Sequence, residues 1–236
     1  MDYTNLCLGC FRDKGSRNLC SCCGFEQGSV PASPHHLPPA TILQGKYLLG
    51  KVLGQGGFGI TYLGWDLKLP VKLAIKEYFP HGLAARLPGS SDLDLSSGEV
   101  KEQLTFGLER FMNEAKTLAR FNEFPGIVSV RNYFEANGTA YMVANYHERI
   151  TLHTYLAKMG GRISTEKALK IFMPVLDALN EVHSAGILHR DISPDNLLID
   201  RSGQVVLIDF GAARQAMGDK SRSMSVIMKA GYSPPE

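Results

Sequence analysis

Cysteine is absent after Cys23 in a chain of 236 residues, and nowhere do 18 apolar residues run together as a membrane-spanning helix needs. The opening M-D-Y-T-N-L-C has neither the cationic nor the apolar region of a signal peptide, so a cytoplasmic protein is expected. Charge of one sign is also missing. Twenty-five Lys and Arg against 23 Asp and Glu leave a formal charge of +2, and no basic field argues for nucleic acid or an anionic membrane. No internal repeat is visible. Specificity must therefore come from a site. What is present is 44% hydrophobic residues, enough core for one good-sized domain with an appendage.

The appendage is where the cysteines lie, as C-L-G-C at Cys7 to Cys10 and C-S-C-C-G at Cys20 to Gly24. A reducing compartment disfavours disulfides. Two C-x-x-C pairs can fold as tight knuckles whose four thiolates, from Cys7, Cys10, Cys20 and Cys23, surround one structural Zn2+ tetrahedrally. Cys22 faces the wrong way and stays spare. The glycine after the second pair suits a turn that aims backbone amides at sulfur. So short a segment has almost no core, and metal binding would supply its folding free energy. An iron-sulfur site and a redox pair are the alternatives. Residues 1–26 are thus a four-cysteine segment resembling a zinc ribbon, and residues 27–40, rich in Pro and Ser, read as a linker in which His35 and His36 are solvated.

From Thr41 onward the pattern is short strands. Y-L-L-G-K-V-L-G-Q-G-G-F-G-I-T-Y-L-G-W-D holds two β-rich runs around a glycine turn, and L-A-I-K follows as a third, giving an antiparallel meander. Leu104, Leu108, Phe111, Ala115 and Leu118 make a helical stripe with Glu114 beside it. Two more strands meet through A-N-G. A long helix is expected after the N-cap Ser164, with Ala168, Phe172, Val175, Leu179 and Val182 on one face, a bend at Pro174 and a stop at Gly186. A hairpin about D-R-S-G then places Asp209 at a strand end.

Gly54 to Gly59 read G-Q-G-G-F-G, a string shared with dinucleotide-binding folds. That fold would open a helix here and want an acid about 20 positions on; instead a strand follows, and Phe79 stands in the acid's place. Glycines at a hairpin tip let backbone amides close over phosphates. Lys76 on its strand can offer the phosphates a cation, and Glu114, costly at the edge of an apolar face unless paired, is its natural partner. H-R-D-I-S-P-D-N at His189 to Asn196, D-F-G at Asp209 and a closing P-P-E complete an ordered series. With these motifs the chain from about residue 41 to its end resembles the eukaryotic-like protein kinase family, and its four-cysteine segment and lead-in look like a bacterial serine/threonine subgroup carrying a zinc ribbon.

The resemblance implies an α+β, two-lobed kinase fold, with an N-lobe over about 41–146 and a partial C-lobe over about 147–236. It implies a serine/threonine kinase that transfers the γ-phosphoryl group of ATP to protein hydroxyls, with Asp191 as base and Mg2+ held by Asp209 and Asn196. The nucleotide would lie against Gly54, Gln55, Gly56, Gly57, Phe58, Gly59, Thr61, Ala74, Lys76, Asn145, His147 and Leu198, with Asn145 to His147 as the adenine hinge and Ala144 leaving a back pocket open. Arg190 could pair with a phosphate on Ser221, Ser223 or Ser225. Residues 80–102 look like an inserted loop. Ser193 stands where such kinases carry a lysine, and Lys229 where they carry a threonine; the resemblance reads the two as exchanged, so Lys229 is expected to return a cation worth roughly 4 kcal/mol at 4 Å in an effective dielectric of 20. The family continues past the point where this sequence stops, Glu236. A second expectation is therefore a truncated, non-catalytic module that binds nucleotide or a partner, and a third is a piece of a longer enzyme.

Overall fold

The computed structural model describes residues 3–87, 90–94, 98–189 and 191–210. Arg190, Ser221, Ser223, Ser225, Lys229 and the P-P-E string lie outside the described residues. Contacts divide the chain into two compact units, one of residues 1–112 with 131–146 and one of 113–130 with 147–236.

The first unit is built on a six-stranded sheet. Its strands are β1 (Ile42–Leu43), β2 (Tyr47–Gly56), β3 (Gly59–Asp66), β4 (Lys72–Tyr78), β7 (Val130–Ala136) and β8 (Thr139–Asn145), in the order β1-β2-β3-β4-β8-β7. The expected meander forms, with Gly56 opposite Gly59 across the hairpin tip. The A-N-G turn works because Asn137 and Gly138 both take positive φ, +54° and +68°, the twist that suits a two-residue hairpin. Helix α1 (Gly98–Leu118) begins before the expected Leu104 and ends in a 3-10 turn, Ala119–Phe121. It approaches β4 closely: a Cβ on Gly107 would stand 1.9 Å from the Tyr78 hydroxyl, and the Phe111 and Tyr78 rings are 5.7 Å apart.

Residues 80–102, expected as an inserted loop, carry a small hairpin of β5 (Ala85–Arg86) and β6 (Leu93–Asp94). This hairpin delivers Arg86, 4% exposed, to the fully buried Glu77. Two hydroxyls complete the cluster, Tyr141 donating to Glu77 Oε1 at 2.8 Å and Tyr62 to Oε2 at 2.9 Å. A buried ion pair survives when such hydrogen bonds satisfy it. Burial and the Glu77 charge together push both tyrosines far above the ordinary phenol range. The histidine pair expected in solvent is packed against the same sheet. The imidazole of His36 meets Gln55 Oε1 at 2.8 Å, His35 lies 5.4 Å from the Phe79 ring, and Leu37, 1% exposed, donates its N–H to Tyr62. An apolar residue directly after the histidine pair, in a stretch without charge, was the signal for this docking.

In the second unit β9 (Ile150–Thr151), β10 (Leu197–Ile199) and β11 (Val205–Leu207) form a three-stranded sheet in the order β11-β10-β9. Helix α2 (Leu152–Lys158) follows β9. Helix α3 (Thr165–Ser184) starts where Ser164 accepts the Lys167 N–H at 3.3 Å, and it packs on β11. Its buried face is Ile171, Val175, Ala178, Leu179 and Val182; Phe172, expected inside, is 41% exposed, because one residue of register separates it from the row that meets the sheet. The D-R-S-G hairpin forms about Asp200, whose Oδ1 accepts from the Ser202 N–H at 2.9 Å, the Ser202 hydroxyl at 2.6 Å and the Gln204 N–H at 3.0 Å. These bonds, the hydroxyl's first, hold Asp200 below the usual carboxylate range, and Arg149 at 3.1 Å adds to the effect.

Candidate active site and metal centre

In the first unit the glycine hairpin separates two reasons for glycine. A Cβ on Gly59 would lie 2.5 Å from the Glu77 carbonyl, so that position is small for packing. Gly54, Gly56 and Gly57 have nothing within 4 Å of an added Cβ, and none takes positive φ. Neither turn geometry nor the fold requires glycine at those three. A ligand lying flat on the backbone would. Gln55, in the same string, spends its side chain on His36, leaving only its backbone for such a ligand.

Lys76 sits on β4 opposite Thr61 of β3 and Met142 of β8. Two residues back, Ala74 faces Ala144, so the sheet face that bears Lys76 carries two small side chains side by side. A flat heterocycle fits a face of that kind. Asn145 ends β8 and accepts a hydrogen bond from Arg131 on the neighbouring strand. Glu114 is 7% exposed on α1, one turn past Phe111.

In the second unit the H-R-D loop is bound to the D-F-G stretch through His189. Its Nδ1 accepts the Asp191 N–H at 3.3 Å, which leaves Nε2 protonated and donating to the Ile208 carbonyl at 3.0 Å. Its ring packs 4.4 Å from Phe210. Asn196 donates from Nδ2 to both the Asp191 carbonyl, at 2.7 Å, and Asp191 Oδ2, at 2.8 Å. The amide is thereby oriented, and its oxygen becomes the face a cation would meet. Its backbone is fixed as well, N–H to the Ser193 carbonyl at 3.0 Å and carbonyl to the Ile208 N–H at 2.9 Å. Ser193 is 2% exposed, and Leu198 is half-buried on β10. Asp209 holds φ +59°, a left-handed backbone that non-glycine residues adopt at a cost and that is concentrated at functional sites. His147 is half-buried; burial first, then the Arg149 charge, lowers its pKa. Sequence reasoning gave His189 no task, although a histidine two residues before a candidate base is a place to look for an orienting group.

The four predicted thiols converge. The Sγ atoms of Cys7, Cys10, Cys20 and Cys23 lie within 4.8 Å of one another, with Cys7 to Cys23 at 3.6 Å and Cys10 to Cys20 at 3.8 Å. A disulfide would need about 2.05 Å. A tetrahedron of sulfurs about 2.3 Å from a central ion has edges of about 3.8 Å, so one ion fits. A multi-iron cluster would spread the sulfurs further apart. Backbone N–H groups of Cys22 and Cys23 pull the Cys20 thiol down to about 6, whereas burial pushes Cys7 up to about 12. The amides aimed at Cys20 suit a thiolate there, whereas burial keeps Cys7 a neutral thiol unless a cation stands beside it. Cys22 is exposed and accepts from Arg12 at 3.4 Å, apart from the four.

Residues 47–236 match the model of the protein kinase domain, and the chain belongs to the protein kinase family. It is 35% identical over 202 residues to a probable serine/threonine-protein kinase of Streptomyces coelicolor, covering 82% of this chain and 27% of that protein. It is 34% identical over 205 residues to the serine/threonine-protein kinase PknA of Nostoc, covering 83% and 33%, and 34% identical over 200 residues to PknA of Mycobacterium tuberculosis, covering 82% and 42%. The chain thus spans between about a quarter and two fifths of these relatives. Among solved structures it resembles the apo form of PpkA-294, with a TM-score of 0.76 and 35% identity over 85% of this chain and 70% of that one. It also resembles the PknI kinase domain of M. tuberculosis, with a TM-score of 0.58 and 25% identity over 76% and 63%. No helix among the described residues is long and apolar enough to cross a membrane.

Proposed function

We propose that the chain is the catalytic part of a serine/threonine protein kinase acting in the cytoplasm on protein hydroxyls, with ATP as co-substrate. The observation that carries this reading is the Asn196 amide, which fixes the Asp191 carboxylate by one hydrogen bond and its backbone by another. A base must be held in position before its proton affinity matters. Asp191 accepts the proton of the attacking hydroxyl, while Asn196 and His189 keep it from turning away. Gly54, Gly56 and Gly57 admit phosphates to the backbone, Lys76 steadies them with Glu114 as its partner, and Ala74 with Asn145 to His147 receives the adenine.

The amide oxygen of Asn196 and the carboxylate of Asp209 are hard oxygen donors, which suit Mg2+. Bound there, Mg2+ would neutralise charge on the phosphates. The four-cysteine cluster is read as a structural zinc site, since its sulfur spacing matches a single tetrahedral ion and it keeps no open position. Ser193 and Lys229 remain proposed as an exchanged pair, with Lys229 supplying the cation.

One observation favours a second reading, a nucleotide- or partner-binding module without catalysis. Helix α3 turns Leu169, Phe172, Met173 and Leu176 outward, each 41–56% exposed, an apolar row of the kind that other proteins cover. Transfer of label from radiolabelled ATP to the chain and to a generic protein, compared with Asp191→Ala, decides between them. Label in the wild type alone, with a drop of about 10²–10⁴ in the variant, supports the kinase. Label in neither supports the module.

A further inference from the structure

The two knuckles differ at one position. Gly24 follows Cys23 at φ +69°, and Phe11 follows Cys10 at φ +51°. Each chain reversal needs a left-handed residue there. Glycine adopts it freely, whereas phenylalanine is strained, and a strained residue persists only where its surroundings hold it. Phe11 is 3% exposed, and its ring lies 5.5 Å from Trp65 in a cluster with Leu8, Leu48 and Leu63. Tyr146 packs against that same cluster. The backbones are joined too. Leu8 accepts the Lys51 N–H at 2.9 Å, and a Cβ on Gly50 would lie 2.2 Å from the Leu8 carbonyl oxygen. The knuckle therefore docks on the nucleotide-binding sheet at the end where the hinge leaves it.

We infer that Phe11 is a positioning residue for the nucleotide: the metal-loaded knuckle presses its ring onto Trp65, and the cluster so formed fixes Tyr146, the middle residue of the adenine segment. The inference rests on the reading of Asn145 to His147 as that segment. With almost no core of its own, the knuckle keeps the strained Phe11 in place only while metal holds the four sulfurs. Metal occupancy and nucleotide affinity are then linked, and the linkage is reciprocal: bound nucleotide tightens the metal as much as metal tightens the nucleotide.

Phe11→Gly separates the ring from the knuckle, because glycine suits φ +51° and relieves the strain. Cobalt(II) in place of zinc reports the thiolate site by its absorption, and calorimetry with a non-hydrolysable ATP analogue reports affinity. The variant is expected to hold one cobalt ion, bind the analogue about tenfold more weakly and show a raised KM for ATP with kcat and the protein-substrate KM unchanged. Wild type stripped by a chelator should weaken similarly at a temperature where its circular dichroism stays folded. Analogue affinity unchanged in both the variant and the stripped wild type overturns the linkage and leaves the kinase reading intact. Failure of untreated wild type to bind the analogue overturns both.

Discussion

Lys76 and Glu77 are neighbours on β4 with opposite environments. The face that bears Lys76 runs from the pair Ala74 and Ala144 to glycines with empty space beside them. The face that bears Glu77 is closed: its carboxylate is fully buried and meets a guanidinium and two phenols, all within the first unit. Strand alternation puts a face lined by small residues back to back with one sealed by charge.

Cutting each side in turn gives the largest effects. Arg86→Met strands Glu77 in the interior and should cost about 3–5 kcal/mol, read in a denaturant titration. Lys76→Met leaves Glu114 without its proposed partner and should cost less, about 1–3 kcal/mol in the same titration, while phosphoryl transfer falls roughly 10²–10³-fold. Equal stability losses would mean that the two faces are not divided in this way. A second pair tests the glycines. Gly59→Ala drives a Cβ toward the Glu77 carbonyl and should destabilise by about 1–3 kcal/mol, whereas Gly56→Ala should melt like wild type and bind ATP analogue less well. The smallest effect is one of pH. Tyr62 and Tyr141 have pKa values raised on folding, so the folded state binds more protons than the unfolded one above the ordinary phenol value of about 10. Their contribution is complete below that value and declines as pH rises past it. Alkaline unfolding followed by tyrosine absorbance should show these two ionising only as the sheet opens, and Tyr141→Phe should weaken the dependence.

Much of the open face was legible in the sequence. Glycines in a row, a lysine on a strand and A-N-G as a turn each act locally, and local patterns are what a chain displays. The spacing of Cys7, Cys10, Cys20 and Cys23 belongs with them, since two short turns bring four sulfurs together. The sealed face was not legible. Arg86 lies in a stretch that looks like a loop, and nothing near it in sequence says that it meets Glu77 from across another strand pair. His36 and Leu37 were hidden by their proline-rich surroundings, which read as tether. On α3, Phe172 and Ile171 compete for one row, and only the position of β11 decides between them. Phe11 offered a faint clue, a bulky residue where Gly24 occupies the matching place.

The docking of Phe11 on Trp65 also has a schedule. The knuckle leaves the ribosome before the strand that receives it, and at ~5–20 residues per second the ring waits roughly 3–10 s for Trp65 to be made, longer still for Tyr146. During that interval Leu8 and Phe11 are bare apolar surface on a nascent chain. Early metal capture would then do more than complete a fold, since it would keep that surface in one compact shape until its seat arrives.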